Sequence, residues 1–213
     1  MFYNIYFILK QKLYAMKFLF HLIFFVVVGN SFQVTAQQSL FERFINSFSK
    51  VEVPFAIDEN YMENRYANPE DYEVMDPIFF EFIFSEKDKE RIWATCGGYE
   101  NIREKVQHVF VGKPFISPKF HSVIYAETIV DDTGDNTTYY LNTYNLFGTI
   151  ISRTALARFE NTGTSAVSEG YIFGLDNIFK INKVYQNPAS IESLSKMKIK
   201  INNRGKVTEE VSG

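Results

Sequence analysis

Residues 120–146 read FHSVIYAETIVDDTGDNTTYYLNTYNL, and this stretch decides the fold that the sequence predicts. Large apolar side chains fall at both odd and even positions of its first half, which indicates a β-strand covered on both faces. The acidic, glycine-containing residues 131–136 are typical of a turn. Residues 137–146 then resume the alternation, so the stretch predicts an antiparallel hairpin.

Strand patterns of the same kind continue to the C-terminus, so residues 108–213 predict an antiparallel meander of about six strands, as a curled sheet or a small sandwich. The Asn-x-x-Gly motifs at 145–148 and 202–205 form a weak repeat of a strand-turn-strand unit. In residues 196–201, lysines alternate with Met and Ile. This row predicts the solvent-facing side of an edge strand.

Residues 37–107 predict a helix- and loop-rich part of the same domain. Its first segment places apolar residues at the spacing of one helix face, namely Leu40, Phe41, Phe44, Ile45 and Phe48. Residues 58–76 are rich in Glu, Asn, Asp and Tyr, which predicts a loop. The order Asp76-Pro77 favours a second, short helix over residues 78–84, and a buried strand is the alternative. The predicted fold class is therefore α+β, with one or two N-terminal helices packed on the antiparallel sheet.

The N-terminus has the pattern of an export signal. Residues 18–28 are apolar apart from one histidine, follow a lysine and precede Val-Thr-Ala, which predicts a signal peptide over residues 1–36 with cleavage after Ala36. The run is shorter than the roughly 20 residues that cross a bilayer. An uncleaved anchor that joins this run to the apolar start of the chain is the alternative, and either Met1 or Met16 is the true start.

Composition limits the partners. The formal net charge is -3 and no block of Lys and Arg occurs, so nucleic acid is excluded as an expected partner. We expect no membrane span after signal cleavage, a periplasmic, secreted or cell-surface location, and an envelope protein or a glycan as partner. No motif implies a cofactor.

The acidic turn is one candidate site. Asp131, Asp132 and Asp135 offer the hard oxygen ligands that Ca²⁺ prefers. The Asp-Thr-Gly order at 132–134 also resembles the aspartic-protease signature, in which paired carboxylates share a proton. A hydrated hairpin turn explains the same residues without a ligand.

Tyrosines on neighbouring predicted strands are the second candidate site. Tyr139, Tyr140, Tyr144 and Tyr171 combine an apolar ring with a polar tip, so they predict stacking platforms for a sugar or a peptide. The alternative is that they form cross-strand pairs in the core.

Short sequence patterns carry a family resemblance. Tyr-Leu-Asn-Thr-Tyr-Asn at 140–145 runs into Phe-Gly-Thr-Ile-Ile-Ser at 147–152, and Tyr-Ile at 171–172 and Asp-Asn-Ile at 176–178 follow. Together with an export signal that lacks a lipid-attachment cysteine, these residues resemble the small uncharacterised exported β-rich proteins of Bacteroidetes over residues 108–185. The resemblance implies export and a β-rich fold, and it assigns no catalytic residues.

The sequence thus favours an exported, non-enzymatic protein that serves as a binding or structural module of the cell envelope through the surface of its β-sheet. The alternative is a secreted hydrolase with an acidic site around residues 131–135. Two carboxylates converging in a deep pocket would favour the hydrolase, whereas exposed tyrosines would favour the binding module.

Overall fold

A computed structural model describes residues 37–85, 89–90, 106–131, 134–160, 165–187 and 190–212. Phe41–Gly213 form one compact unit, and Met1–Leu40 form another. The predicted signal peptide, residues 1–36, lies outside the described residues.

Within this described part, nine strands form a mostly antiparallel sheet that also carries a few short helices. Strands β2 to β9 are neighbours in chain order, the short β1 pairs with β6, and β2 and β9 are the two end strands of a sheet that is not closed. The strands are β1 Phe55–Ile57, β2 Val106–Gly112, β3 His121–Asp131, β4 Gly134–Tyr144, β5 Ile150–Glu160, β6 Ser165–Gly174, β7 Asn177–Asn187, β8 Ser190–Ile201 and β9 Val207–Ser212.

The prediction of about six strands was too low. Residues 170–184 alone contain the end of β6 and most of β7, because a two-residue turn at Leu175 and Asp176 reverses the chain. The lysine row also does not mark an edge strand. It lies on β8, which pairs with both β7 and β9, and Lys200 donates a 2.8 Å hydrogen bond to Glu210 of β9.

Three helices lie between residues 37 and 83 of the described chain. Residues 37–46 form α1, Glu59–Ala67 form α2, and Phe80–Ile83 form α3 after a 3-10 turn at Pro77–Phe79. The sheet begins before α2, because β1 precedes it and pairs with β6. The helices are therefore not a separate N-terminal layer.

The prediction of a loop over residues 58–76 was wrong, because α2 lies within it. Asp58 caps this helix by accepting a hydrogen bond from the backbone N–H of Tyr61 at 2.9 Å. Only Met62 and Arg65 of the helix are buried. With so few buried positions, the helix shows little of the apolar periodicity by which a helix is recognised in a sequence.

The sheet is covered on both faces. The α1 face, which carries Tyr125 and Tyr144, packs against the rings of Phe41 and Phe44, and both of these rings lie within 5.7 Å of the Tyr144 ring. The α2 face, on the opposite side of the strands, carries the main apolar cluster, into which Met62 of α2 packs. Strand members of this cluster include Val109, Ile124, Tyr139, Leu141, Leu156, Phe159, Ile172, Ile178, Ile199 and Ile201.

The two Asn-x-x-Gly motifs form turns of the same geometry. Each asparagine side chain accepts hydrogen bonds from the backbone N–H groups two and four residues later, and each glycine has a positive φ, 91° at Gly148 and 81° at Gly205. The second turn packs back on the sheet, where Thr143 of β4 donates to the Gly205 carbonyl at 2.6 Å. The sheet therefore curves strongly enough to bring the β8–β9 turn to β4.

Candidate functional site

A pocket of about 450 Å³ lies between α2 and the strands of the α2 face. We refer to it as the α2 pocket. Its volume is within the range of about 300–1,000 Å³ in which proteins hold small ligands. Its lining residues come from α2, the segment that follows it and strands β2 to β5: Met62, Arg65, Tyr66, Ala67, Pro69, Tyr72, Val74, Gln107, Val109, Thr128, Thr137, Tyr139 and Phe159.

Arg65 is the charged residue of this lining. The residue is 9% exposed, and its guanidinium lies 5.1 Å from the ring centroid of Tyr72 and 5.3 Å from that of Tyr139. Its Nη1 donates a 3.1 Å hydrogen bond to the Tyr139 hydroxyl, while its buried Nε has no hydrogen-bond partner. The two rings fix the plane of a guanidinium that retains an unused donor.

Arg65 has no carboxylate partner among the described residues. The ion pairs found there are formed by other cations, which are His108, Arg153, Arg158, Lys183 and Lys200. Burying a cation without a counter-ion costs several kcal/mol. Each cation–π contact returns only about 0.5–2 kcal/mol, and a hydrogen bond to a neutral hydroxyl about 1 kcal/mol. The surroundings of Arg65 therefore compensate its charge incompletely.

Tyr61 and Tyr139, two tyrosines near Arg65, are neutral hydrogen-bonding groups. Burial raises the pKa of Tyr139, and the nearby Arg65 charge offsets that rise only in part. Burial, followed by the neighbouring Tyr72 and Tyr139, raises the pKa of Tyr61 well above its usual value. No tyrosinate in this group supplies a negative charge to Arg65 at neutral pH.

A polar network lies on the α1 face. Glu127 Oε2 lies 3.1 Å from His108 Nε2 and 3.4 Å from Arg153 Nη2, and the Arg153 guanidinium lies 3.9 Å from the Tyr140 ring centroid. Burial by itself would raise the pKa of Glu127, but the hydrogen bond from His108 and the charges of His108 and Arg153 outweigh it and hold the pKa below its usual value. Glu127 is thus a carboxylate at neutral pH.

This network lacks a nucleophile among the described residues. His108 is 1% exposed and packs against the rings of Phe80 and Phe84, at 4.8 and 5.4 Å between centroids. Its Nδ1 has no hydrogen-bond partner, and in the described part of the chain no hydroxyl or thiol lies within hydrogen-bond distance of either ring nitrogen. The arrangement differs from a Ser-His or Cys-His pair, in which the base contacts its nucleophile.

A second charged cluster joins α2 to strands β6 and β7. Lys183 Nζ lies 2.7 Å from Glu169 Oε1 and 3.3 Å from Glu59 Oε2, and the Tyr171 hydroxyl donates to Glu169 at 2.8 Å. Burial raises the pKa of Tyr171, and Glu169 adds to the rise, to about 12. Because Glu169 also accepts from the backbone N–H of Glu59 at 3.2 Å, the cluster anchors the first turn of α2 to the sheet.

The structure does not bring the four predicted tyrosines together. Tyr139 lines the α2 pocket, whereas Tyr140 lies on the α1 face and stacks on Tyr125 at 5.5 Å between centroids. Tyr144 is fully buried in the α1-face aromatic cluster. Tyr171 belongs to the Glu169 cluster. Of these residues, Tyr139 is the one that the geometry places at a pocket.

The acidic turn is only partly described. Asp131 ends β3 and Asp135 lies in β4, opposite Val130. Asp132 and the side chains of Asp131 and Asp135 lie outside the described part of the chain, so the calcium and hydrolase hypotheses stay predictions. In that part, His, Cys, Asp and Glu residues form no group of three or more that could hold a metal ion.

Sequence reasoning missed Arg65, because it assigned residues 58–76 to a loop. The available signal was the helix start at Asp58-Glu59, where a capping residue precedes an acidic first turn. From that start, Met62, Arg65 and Tyr66 recur at the spacing of one helix face. An arginine between an apolar and an aromatic residue on such a face would have been recognisable as a candidate binding residue.

Comparison of the chain with protein-family models, curated proteins and solved structures gives no match. None of the helices in the described residues has the length and apolar character needed to cross a membrane. The site must therefore be interpreted from its own geometry and chemistry.

Proposed function

We propose that this protein is a non-enzymatic binding protein that holds a small amphipathic molecule in the α2 pocket. The observation that carries the proposal is the pocket itself, a cavity of about 450 Å³ with four aromatic side chains in its lining, Tyr66, Tyr72, Tyr139 and Phe159. Proteins bind small molecules in pockets of this size, with mostly apolar walls and a few fixed polar groups.

The polar groups of the pocket are held in place before a ligand arrives. The Thr128 and Thr137 hydroxyls lie 2.9 Å apart on paired strands, and Tyr139 is fixed by Arg65. Strands hold such side chains more rigidly than loops do. A ligand therefore meets an organised surface, which reduces the entropy lost on binding.

We further propose that the mature chain acts outside the cytosol, after removal of residues 1–36 as the N-terminal pattern predicts. The intact mass of the protein isolated from its host tests this part. A chain that begins at Gln37 would support it, and a chain that retains the apolar run 18–28 would contradict it.

The binding proposal is tested with N-phenylnaphthylamine, an uncharged dye that becomes fluorescent in apolar surroundings. We expect the purified protein to bind the dye saturably. Thr128→Phe places a ring in the pocket lining and should weaken the dye affinity at least about tenfold, because it occupies the space of the ligand.

Ile129→Phe is the matched control. Ile129 is the next residue of β3, so its side chain points to the opposite face, and it is 45% exposed. We expect wild-type dye affinity in this variant. Equal affinity of the wild-type protein and both variants would show that the dye binds elsewhere and would contradict the proposal, as would the absence of saturable binding.

A further inference from the structure

We infer that the ligand of the α2 pocket carries one small oxyanion group, a carboxylate or a sulfonate, which pairs with Arg65. This inference rests on the proposed function, because it names the chemical class of the ligand in that pocket. It begins from a buried guanidinium that is held between two tyrosine rings and has no carboxylate within reach among the described residues.

The charge of the lining selects an anion. Among the described residues that line the pocket, Arg65 is the single charged side chain, and the others are apolar, aromatic, hydroxyl or amide groups. A cationic ligand would meet a like charge here with no carboxylate to offset it. A single negative group would neutralise Arg65, and the aromatic walls would take up an apolar body.

The geometry of Arg65 suits an oxyanion. The rings of Tyr72 and Tyr139, at 5.1 and 5.3 Å, hold the guanidinium, and Nη1 is already bonded to the Tyr139 hydroxyl. The buried Nε has no hydrogen-bond partner, so the protein leaves part of the donor capacity of Arg65 unused. Arginine binds carboxylates through such fixed N–H groups, and the bonds are stronger than those between neutral groups.

Three other positive groups of the described chain have carboxylate partners. Lys183 lies between Glu169 and Glu59, Arg158 pairs with Glu160 at 2.8 Å, and Lys200 pairs with Glu210. Arg65 differs from them because aromatic rings and one neutral hydroxyl surround it. Its placement at the pocket is therefore accounted for by a ligand that brings the missing negative charge.

The test compares two dyes with the same aromatic body. Anilinonaphthalene sulfonate carries one sulfonate, whereas N-phenylnaphthylamine is uncharged. We expect the wild-type protein to bind the sulfonate dye at least about tenfold more tightly, because it gains a charge-assisted hydrogen bond. This comparison uses the unaltered chain, so it does not depend on whether a variant folds.

Two variants locate the effect. Arg65→Gln should remove most of the preference for the sulfonate dye and leave the affinity for the uncharged dye within about threefold. Arg204→Gln removes the same charge from the exposed β8–β9 turn and should preserve the preference. Circular dichroism confirms that each variant is folded.

The outcomes separate this inference from the proposed function. Saturable binding of the uncharged dye, with no preference for the sulfonate or with equal losses in both Arg variants, would overturn the inference and leave the binding pocket standing. Binding of neither dye would overturn both. A preference that Arg65→Gln abolishes and Arg204→Gln retains would support the assignment.

Discussion

At the scale of single residues, the backbone turn at Gly205 combines two constraints. Its φ of 81° lies in the left-handed region that favours glycine, and a Cβ added there would lie 2.9 Å from both Ile151 Cδ1 and Phe120 Cγ. The turn thus packs against core side chains and needs the smallest residue. The Asn-x-x-Gly motif made this turn predictable, but the close approach to Phe120 is a tertiary contact that no local pattern encodes.

Gly205→Ala is expected to lower the free energy of unfolding by about 1–3 kcal/mol, because it adds backbone strain and a steric clash. Urea denaturation measures the change. Gly174→Ala is the control, because the nearest atom to its added Cβ is Asp176 Oδ1 at 3.8 Å. An equal decrease in the free energy of unfolding in the two variants would contradict the assigned cause, which is the positive φ and the close packing at Gly205.

The carboxylates of Glu127 and Glu169 make stability depend on pH. For both, burial raises the pKa but hydrogen bonds and cation charges outweigh it, from His108 and Arg153 at Glu127 and chiefly from Lys183 at Glu169, so the folded pKa lies below the usual 4.5. As the pH falls below about 4.5, the unfolded chain takes up protons first. Stability is therefore fully present above this pH and is lost below it.

Glu127→Gln should flatten this acid dependence, because it removes one of the carboxylates whose pKa is lowered in the folded protein. It should also lower the free energy of unfolding at pH 7 by about 1–3 kcal/mol, since His108 and Arg153 lose a charged partner. Urea midpoints between pH 7 and pH 3 report both effects. An unchanged slope below pH 4.5 would contradict the assigned role of Glu127.

At the scale of elements, the sheet was easier to predict than the helices. The long strands β3 and β4 carry large apolar side chains on both faces, because both faces of the sheet are covered there. Such a pattern is easily recognised in the sequence. The three-residue β1 and the nine-residue α2 leave weaker patterns, and their positions depend on pairing with β6 and on the Asp58 cap. Tyr139 could be identified as a candidate site residue from the sequence, whereas Arg65 could be identified only after α2 had been recognised as a helix.

The aromatic face of α1 is expected to contribute strongly to the stability of the protein. Phe44 is fully buried, and its ring lies 5.1 Å from that of Phe48 and 5.2 Å from that of Phe82. Phe44→Ala should lower the free energy of unfolding by about 3–5 kcal/mol, because it leaves a cavity between helix and sheet.

Phe147→Ala is the control for this substitution. Phe147 is 72% exposed at the β4–β5 turn, so the same change should alter stability by less than about 0.5 kcal/mol. Thermal or urea unfolding of the two variants gives the comparison. A small effect at Phe44 would mean that α1 contributes little to the stability of the sheet.

At the scale of the whole molecule, the two covered faces of the sheet have different characters. The α1 face is filled by packed rings and the Glu127 network, whereas the α2 face leaves a cavity beside a buried cation. The central claim is that this cavity is a ligand site rather than a packing defect. A packing defect gives no reason for a buried cation in the cavity wall. An apolar side chain at this position would avoid the free-energy cost of burying the charge.

The most direct measurement is the set of nuclear Overhauser contacts between protons of bound N-phenylnaphthylamine and methyl groups of the protein. We expect contacts to the methyls of Met62 and Val109, which line the α2 pocket. Contacts confined to exposed side chains such as Leu146 or Leu194, which are 44% and 62% exposed, would contradict it.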